Sequence, residues 1–477
     1  MFKGGLPGEK PGWYYDTPFL DWAPRIGFAW DVTGDGKTAI RAAGGVFYNF
    51  INRAQYLYAG GPLIAQEKVV RNATLDDVTA FARAGTLFAE SPQTGNLPGD
   101  FPLVVHGNQE GPDEFKPETY YQANVAFQRD IGFNTTAEIA WVGNYGRNMY
   151  RIKNSNNIAP YAYANPANLF NNEPIAENLI RRDYPGMGTI RYLTTDEETL
   201  NYNAMQLSVQ RRLNRGLQMG VAYTLSKSEG IQGYDWATEE LFGKEGLRER
   251  YYGPPSSTAD QITGATGVTR SDRRHMLVVN YSYSIPNPTP EIPILKHVLD
   301  GWEAAGVAQF MSGNPADPVC GTNLAGIENT DPSLSGIFSG GAGSITSARC
   351  ELTGEPLYNV TRDPNLAEED QMHFNLNAFQ RPRPNGAVGN FGNAPLGVLR
   401  HPGFSNWDFT LARRVRLGGR ANLRVQLQVY NLFNQVEFIA LNANYLYGAT
   451  GNTSVDTGKY TVTTNPRNVG ITMRLDF

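Results

Sequence analysis

Little of this sequence is charged, and no part of it is apolar for long. Asp, Glu, Lys and Arg make up 18% of its 477 residues, below the quarter usual for soluble domains. The net charge of -5 offers nucleic acid no electrostatic footprint. No run approaches the roughly 18 consecutive apolar residues of a membrane-spanning helix, so a chain of this kind could cross a bilayer only as strands. Its two cysteines, Cys320 and Cys350, stand far apart without CxxC spacing, which excludes a structural zinc site. The five histidines are scattered without metal-ligand spacing, no serine sits in a nucleophile elbow, and neither cofactor nor metal is expected. The opening MFKGGLPGEKPGW lacks the apolar core of a secretory signal. Either the protein is cytosolic or an N-terminal part is missing.

Glycine (51), tyrosine (25) and phenylalanine (23) are plentiful. Alternation of apolar and polar residues, bounded by turn residues, predicts eleven strands of about nine to fourteen residues. They lie near 24–32, 37–48, 118–130, 134–145, 202–213, 216–228, 273–285, 301–312, 405–415, 420–432 and 467–477. Ala137, Ile139 and Trp141 share one face of the fourth, with Thr136, Glu138 and Ala140 on the other. Leu423, Val425, Leu427 and Val429 alternate with Arg424, Gln426, Gln428 and Tyr430 in the tenth. The last residues, VGITMRLDF, alternate without a fault and stop on Phe477.

The connections carry a second pattern. Short links of about 2 to 15 residues alternate strictly with links of roughly 69, 56, 44, 92 and 34 residues. Structureless loops of that length are rare in compact soluble domains, whereas transmembrane β-barrels have short turns at one rim and long loops at the other. Strands of this length suit a tilted crossing of the bilayer. Trp302 and Phe310 share a face roughly 20 Å apart along the membrane normal, as interfacial girdles require. The reading is an all-β antiparallel transmembrane barrel, against a large soluble β-sandwich with an aromatic core.

Several residues invite a chemical reading beside a plainer one. GDGKT, Gly34 to Thr38, echoes a phosphate loop and a calcium loop, but Asp31 and Ala42 stand where those motifs need glycine and glutamate. A tight hairpin turn accounts for it. Cys320 and Cys350 fall in one long loop, where they form a disulfide or remain two buried thiols. Tyr161, Tyr163, Tyr234, Trp236, Tyr251 and Tyr252 lie in other long loops, and could stack on a ligand or pack loop against loop. Asp235, Glu239 and Glu240 could assemble a carboxylate pair or simply be solvated. Arg211, Arg212 and Arg215 lie by a short turn, as a solvated turn or a binding patch. Arg273 and Arg274, after Asp272, could meet lipopolysaccharide phosphate or make a salt bridge within the wall.

Read in order, PRIGFAWDVTGDGKTAIRAAGGVFY, WVGNYGRNMYR, YNAMQLSVQRRLNRGLQMGVAYTLSKS, SDRRHMLVVNYSYSIP, GWEAAGVAQFMSGNP, GNAPLGVLRHPGFSNWDFTLARRVRL and LRVQLQVYNLFNQVEF, with the terminal strand, resemble the C-terminal half of TonB-dependent outer-membrane receptors. The likeness is to their Oar-like branch, whose members carry a carboxypeptidase-regulatory-like domain at the N-terminus. It touches nearly every predicted strand.

The resemblance implies about half of a 22-stranded barrel, with residues 1–477 as one barrel domain and the plug, the TonB-contacting segment and the regulatory-like domain absent. It implies a bacterial outer-membrane protein and no enzyme: a receptor taking up a captured nutrient with energy from TonB and the proton gradient. The alternative is a surface structural or adhesion protein that uses the barrel as an anchor. Expected partners are membrane lipid, lipopolysaccharide, TonB, the barrel-assembly machinery and an unidentified nutrient. Leu475 and Phe477 match the terminal signal that the assembly machinery reads, although Thr472 stands where the usual pattern has glycine. Without the missing strands, the first and last strands would be unpaired edges.

Overall fold

In a computed structural model of the chain, the described residues are 21–49, 64–67, 104–108, 116–154, 169–170, 173–174, 187–230, 267–268, 272–287, 291–292, 298–322, 347–380, 394–395, 397–418, 421–448 and 451–477. Eleven strands form the main path of one sheet. They are β1 (Arg25–Asp31), β2 (Thr38–Asn49), β3 (Glu118–Gly132), β4 (Thr135–Asn154), β5 (Met187–Asn214), β6 (Leu217–Gly230), β7 (His275–Ser284), β8 (Trp302–Met311), β9 (Phe404–Gly418), β10 (Ala421–Tyr430) and β11 (Asn468–Asp476). Each pairs antiparallel with its sequence neighbour, from β1 at one end to β11 at the other.

Every predicted strand is present, but the expected range of lengths fails. β4 has 20 residues and β5 has 28. Their extra length lies at the long-loop end, past the segments that alternate. A strand that has left lipid meets water on both faces, so it needs no apolar face and gives the periodicity no signal.

The sheet has two faces because the alternation stays in register across it. On one face Trp30 stands opposite Ile40, Ile40 opposite Phe127, Phe127 opposite Ile139, and Ile139 opposite Leu207. The row continues through Tyr223, Leu277 and Phe310. Several of these side chains stand largely exposed, Trp30 at 52% and Ile139 at 45%. The opposite face carries Gln128, Glu138, Ser208 and Gln309, and Glu138 pairs with Arg41 at 3.6 Å. One face suits lipid and the other water.

The short turns have the chemistry of tight hairpins. Phe133 and Asn134 between β3 and β4 both have positive φ, as do Arg215 and Gly216 between β5 and β6. A two-residue type I′ turn needs that pair of conformations. Between β1 and β2, the Asp31 carboxylate accepts from the backbone N–H groups of Gly34 and Gly36 at 3.0 and 2.8 Å. The GDGKT stretch is therefore an Asp-anchored turn.

Aromatic rings gather at the other end of the lipid-facing belt. Phe310 meets Trp407 edge-on at 5.5 Å, and Trp407 meets Phe433 at 5.7 Å. Indole and phenyl rings favour this level of a membrane, where the apolar body meets lipid and the edge meets headgroups.

Candidate functional site: a folded cap at the long-loop end

The buried apolar cluster among the described residues lies outside the sheet, in two of the long connections. Residues 312–403 follow β8 and residues 431–467 follow β10. Val319–Thr322 from the first pairs parallel with Asn444–Gly448 from the second, and Ser347–Arg349 pairs on its other side. Phe438–Leu441 and Tyr460–Thr463 form a further pair within the second connection.

Phe374, Phe379, Leu399, Tyr445 and Tyr447 fill the space between these strands. Phe374 and Leu399 have no exposed surface, and burying each such side chain stabilises by about 1.5–3 kcal/mol. Tyr445 and Tyr447 point the same way, their rings stacked 5.7 Å apart with nearly parallel planes. Their hydroxyls keep hydrogen bonds, from Tyr445 to the Leu376 carbonyl at 3.1 Å and from Tyr447 to that of Phe379 at 3.4 Å. Burial pushes the Tyr445 hydroxyl far above the ordinary phenol range.

Cys320 and Cys350 are joined by a disulfide in this core, with Cα atoms 5.1 Å apart. It closes a 30-residue separation, a restraint worth about 3 kcal/mol in the loop-entropy account.

One contact ties the cap to the wall and another ties its two connections together. The Arg400 guanidinium donates to the Asp272 carboxylate at 2.7 Å and to its backbone carbonyl at 3.1 Å. That carboxylate also accepts from the backbone N–H of Ser228, at the long-loop end of β6. The His401 ring accepts at Nδ1 from the Leu441 N–H at 2.9 Å, linking one connection to the other. Burial lowers the pKa of His401, so the neutral ring is favoured.

The cap leaves a hollow of about 760 Å³ beside the ends of β9 and β10. Glu368, Glu369, Glu437, Phe438, Tyr460 and Thr461 are among its walls. Glu368 forms a two-point pair with Arg362, both distances 3.1 Å. Glu437 accepts from the N–H and hydroxyl of Ser405 at 2.6 and 2.7 Å. His373 stacks on Tyr460 with ring centres 3.4 Å apart. Burial lowers the His373 pKa and raises that of Tyr460. The hollow is lined by carboxylates and aromatic edges, with Glu368 and Glu437 already engaged by Arg362 and Ser405.

Among the described residues, no three His, Cys, Asp or Glu side chains cluster to hold a metal. Tyr161, Tyr163, Tyr234, Trp236, Tyr251 and Tyr252 lie outside the described residues, as do Asp235, Glu239 and Glu240. Arg273 donates to the Ser312 carbonyl at 3.1 Å and Arg274 to that of Ser226 at 3.5 Å. Both bind the wall's own backbone, and Asp272 turns to the cap. Sequence reading missed the cap residues because their contacts join segments far apart. The local signal for them was short, Tyr445 and Tyr447 alternating in NYLYG.

A family model described as "Outer membrane beta barrel domain" matches residues 3–470. No curated protein matches the sequence. The fold is similar to the outer membrane transporter YddB from Escherichia coli, at 10% identity and a TM-score of 0.43 over 95% of this chain and 40% of that one. It is also similar to the ferric enterobactin receptor PfeA from Pseudomonas aeruginosa, at 11% identity and a TM-score of 0.42 over 95% and 40%. The siderophore receptor PirA from Acinetobacter baumannii matches at 9% identity and a TM-score of 0.40, again over 95% and 40%. The chain thus spans 40% of the length of each of these three solved chains.

Proposed function

The chain belongs to the family of outer membrane β-barrel domains, and from that premise we propose that it is the C-terminal part of a TonB-dependent receptor of the Oar-like branch. The protein resides in the bacterial outer membrane. In this reading its long loops capture a nutrient, and uptake is driven through TonB by the proton gradient. Tyr161, Tyr163, Tyr234, Trp236, Tyr251 and Tyr252 are the proposed ligand contacts. Leu475 and Phe477 are the proposed signal to the barrel-assembly machinery.

The observation that carries the reading is the pair of open edges. β1 and β11 are the ends of the main strand path, and among the described residues each pairs on one side only. Backbone groups left unsatisfied in hydrocarbon cost several kcal/mol each, which supports a reading in which other strands complete the wall. Supplying about as many strands again would give a barrel of about 22, the size whose lumen holds a plug. The resemblance supports placing those strands, the plug and the TonB-contacting segment upstream in the same gene.

The complete gene and its product test this directly. The upstream sequence should encode a plug, and the full-length product, extracted from outer membranes, should bind purified TonB. A gene that lacks the plug, or a product that ignores TonB, would sink the transporter reading and leave the barrel as a surface anchor.

A further inference from the structure

A second, smaller hollow of about 380 Å³ lies where the long-loop ends of β9, β10 and β11 meet the connection of residues 431–467. The alternation decides which side of the wall it belongs to. Trp407, Phe409 and Val429 keep the lipid-facing register, so Asn406, Asp408 and Tyr430 take the water-facing one, with Asn468 opposite Tyr430. All four line the hollow, and Thr464 and Asn465 line it from the connection.

The frame around the hollow is held by its own hydrogen bonds. Asn431, at positive φ, gives its backbone N–H to the Asp408 carboxylate at 3.1 Å. Its side chain donates to the carbonyls of Gln435 and Asn465 at 2.9 and 3.2 Å and accepts from the Gln435 N–H at 2.9 Å. The Asn434 side chain accepts from the Arg467 N–H at 3.0 Å, and the Thr464 N–H donates to the Glu437 carbonyl at 2.8 Å. Both ends of the connection are thus fixed against the sheet before any ligand arrives, which lowers the ordering cost of binding.

The side chains of the lining residues are engaged differently. Among the described residues, the carboxamides of Asn406, Asn465 and Asn468 and the hydroxyls of Tyr430 and Thr464 have no hydrogen-bond partner in the protein. A carboxamide both donates and accepts, and so does a hydroxyl. A ligand rich in hydroxyls is complementary to such a set.

Charge narrows the class. Asp408 and Glu437 line the hollow, and among the described residues no Lys, Arg or His does. Arg467 is next to it in sequence but is not one of its walls. An anionic ligand would meet its own sign there. The carboxylates are also partly occupied: Glu437 holds the N–H and hydroxyl of Ser405 through one oxygen, and Asp408 holds Asn431. The Tyr430 ring is 49% exposed. It stands on the wet side, where it adds nothing to a lipid-facing girdle, and it offers the C–H face of a sugar ring a surface to stack on.

We propose that this hollow binds a neutral saccharide, with room for roughly one or two sugar rings. Asn406, Asp408 and Asn468 take the hydroxyls, and Tyr430 stacks on the ring. This rests on the reading that the long-loop end captures a nutrient, and it gives that nutrient a chemical class.

The full-length protein, extracted in a detergent without a sugar headgroup, tests it on an array of neutral and acidic oligosaccharides, with spermidine as a cationic probe and affinities from calorimetry. At least one neutral glycan should bind. Asn406→Ala and Asn468→Ala should each weaken it about tenfold, the scale of one lost hydrogen bond. Tyr430→Phe should keep most of the affinity and Tyr430→Ala should lose it. Binding to no glycan, binding only to acidic glycans or to spermidine, or unchanged affinity in the double alanine variant would overturn the proposal. Should that variant fail to assemble, Tyr430→Ala against Tyr430→Phe decides, and equal affinity in the two would overturn it. None of these measurements needs TonB, so a failure here leaves the transporter reading standing, and failure to bind TonB leaves the saccharide site standing.

Discussion

Asp272 and Arg400, 128 positions apart in the chain, meet at 2.7 Å, and the Asp272 side chain is 1% exposed. This pair joins the wall of the sheet to the cap that covers its long-loop end. Removing one partner of a buried pair leaves the other charge uncompensated. Arg400 is one-third exposed, so water offsets part of that cost. Arg400→Ala should loosen the cap by about 2–3 kcal/mol, read as faster amide exchange across residues 397–403. A double change to Asp272→Asn and Arg400→Ala should cost less than the sum of the two singles. Strict additivity would mean the pair contributes nothing to docking.

The disulfide makes a separable contribution. Cys320→Ser with Cys350→Ser should lower protection of Tyr445 and Tyr447 by about 3 kcal/mol. The amides of β10 and β11 should be unaffected, since the cap core lies outside the sheet. Loss of protection in both places would show that cap and wall unfold as one unit.

Protonation should also weaken the cap, and the sign follows from burial. His401 and His373 have folded pKa values below the ordinary 6.5. Desolvation is the largest cause in both. At His401 the Asp317 carboxylate opposes it and Arg273 reinforces it; at His373 the Glu368 carbonyl and charge oppose it and Arg362 reinforces it. Each ring's contribution is fully present above about pH 6.5. It falls as the unfolded state takes up protons first, and the loss is complete once pH has passed below the folded pKa. A protonated His401 would also carry a proton on Nδ1, where the Leu441 N–H now donates. Cap protection should therefore drop between pH 7 and pH 5, and His401→Gln should flatten part of the slope. A cap equally protected at both values would contradict the burial argument.

These results separate what the sequence disclosed from what it hid. Ile139 and Trp141 on one face, with Glu138 between them, disclosed a strand because lipid and water enforce a period of two. The full extent of β5 stayed hidden because a strand needs no apolar face beyond the lipid belt, so residues there leave no period of two. Phe374 and Tyr445 stayed hidden for another reason, since their partners come from another connection and leave no local period. Cys320 and Cys350 lay between these cases: their shared loop suggested a bond, and only the fold brought their Cα atoms to 5.1 Å. Tyr430 was visible on the polar face of the tenth strand, but its significance depended on the hollow it shares with Asn468.

The last strand allows assembly and stability to be told apart. β11 pairs with β10 from Tyr430 opposite Asn468 to Asn422 opposite Asp476, so Leu475, opposite Leu423, is held in the ladder. Phe477 is 95% exposed, beyond the last paired residue. A side chain with so little buried surface adds little to the folded state. If the assembly machinery reads it, Phe477→Ala should lower the amount of protein in the outer membrane while leaving the melting temperature of the assembled fraction unchanged. Leu475→Ala has a different expectation, because loss of an interfacial ladder residue should reduce both. Quantitative immunoblotting of outer membranes, together with heat-shift electrophoresis, measures the two readouts independently. Equal outer-membrane levels for Phe477→Ala and wild type would assign the terminal aromatic no role in recognition. A matched fall in level and melting temperature would instead make it a structural residue of the folded barrel.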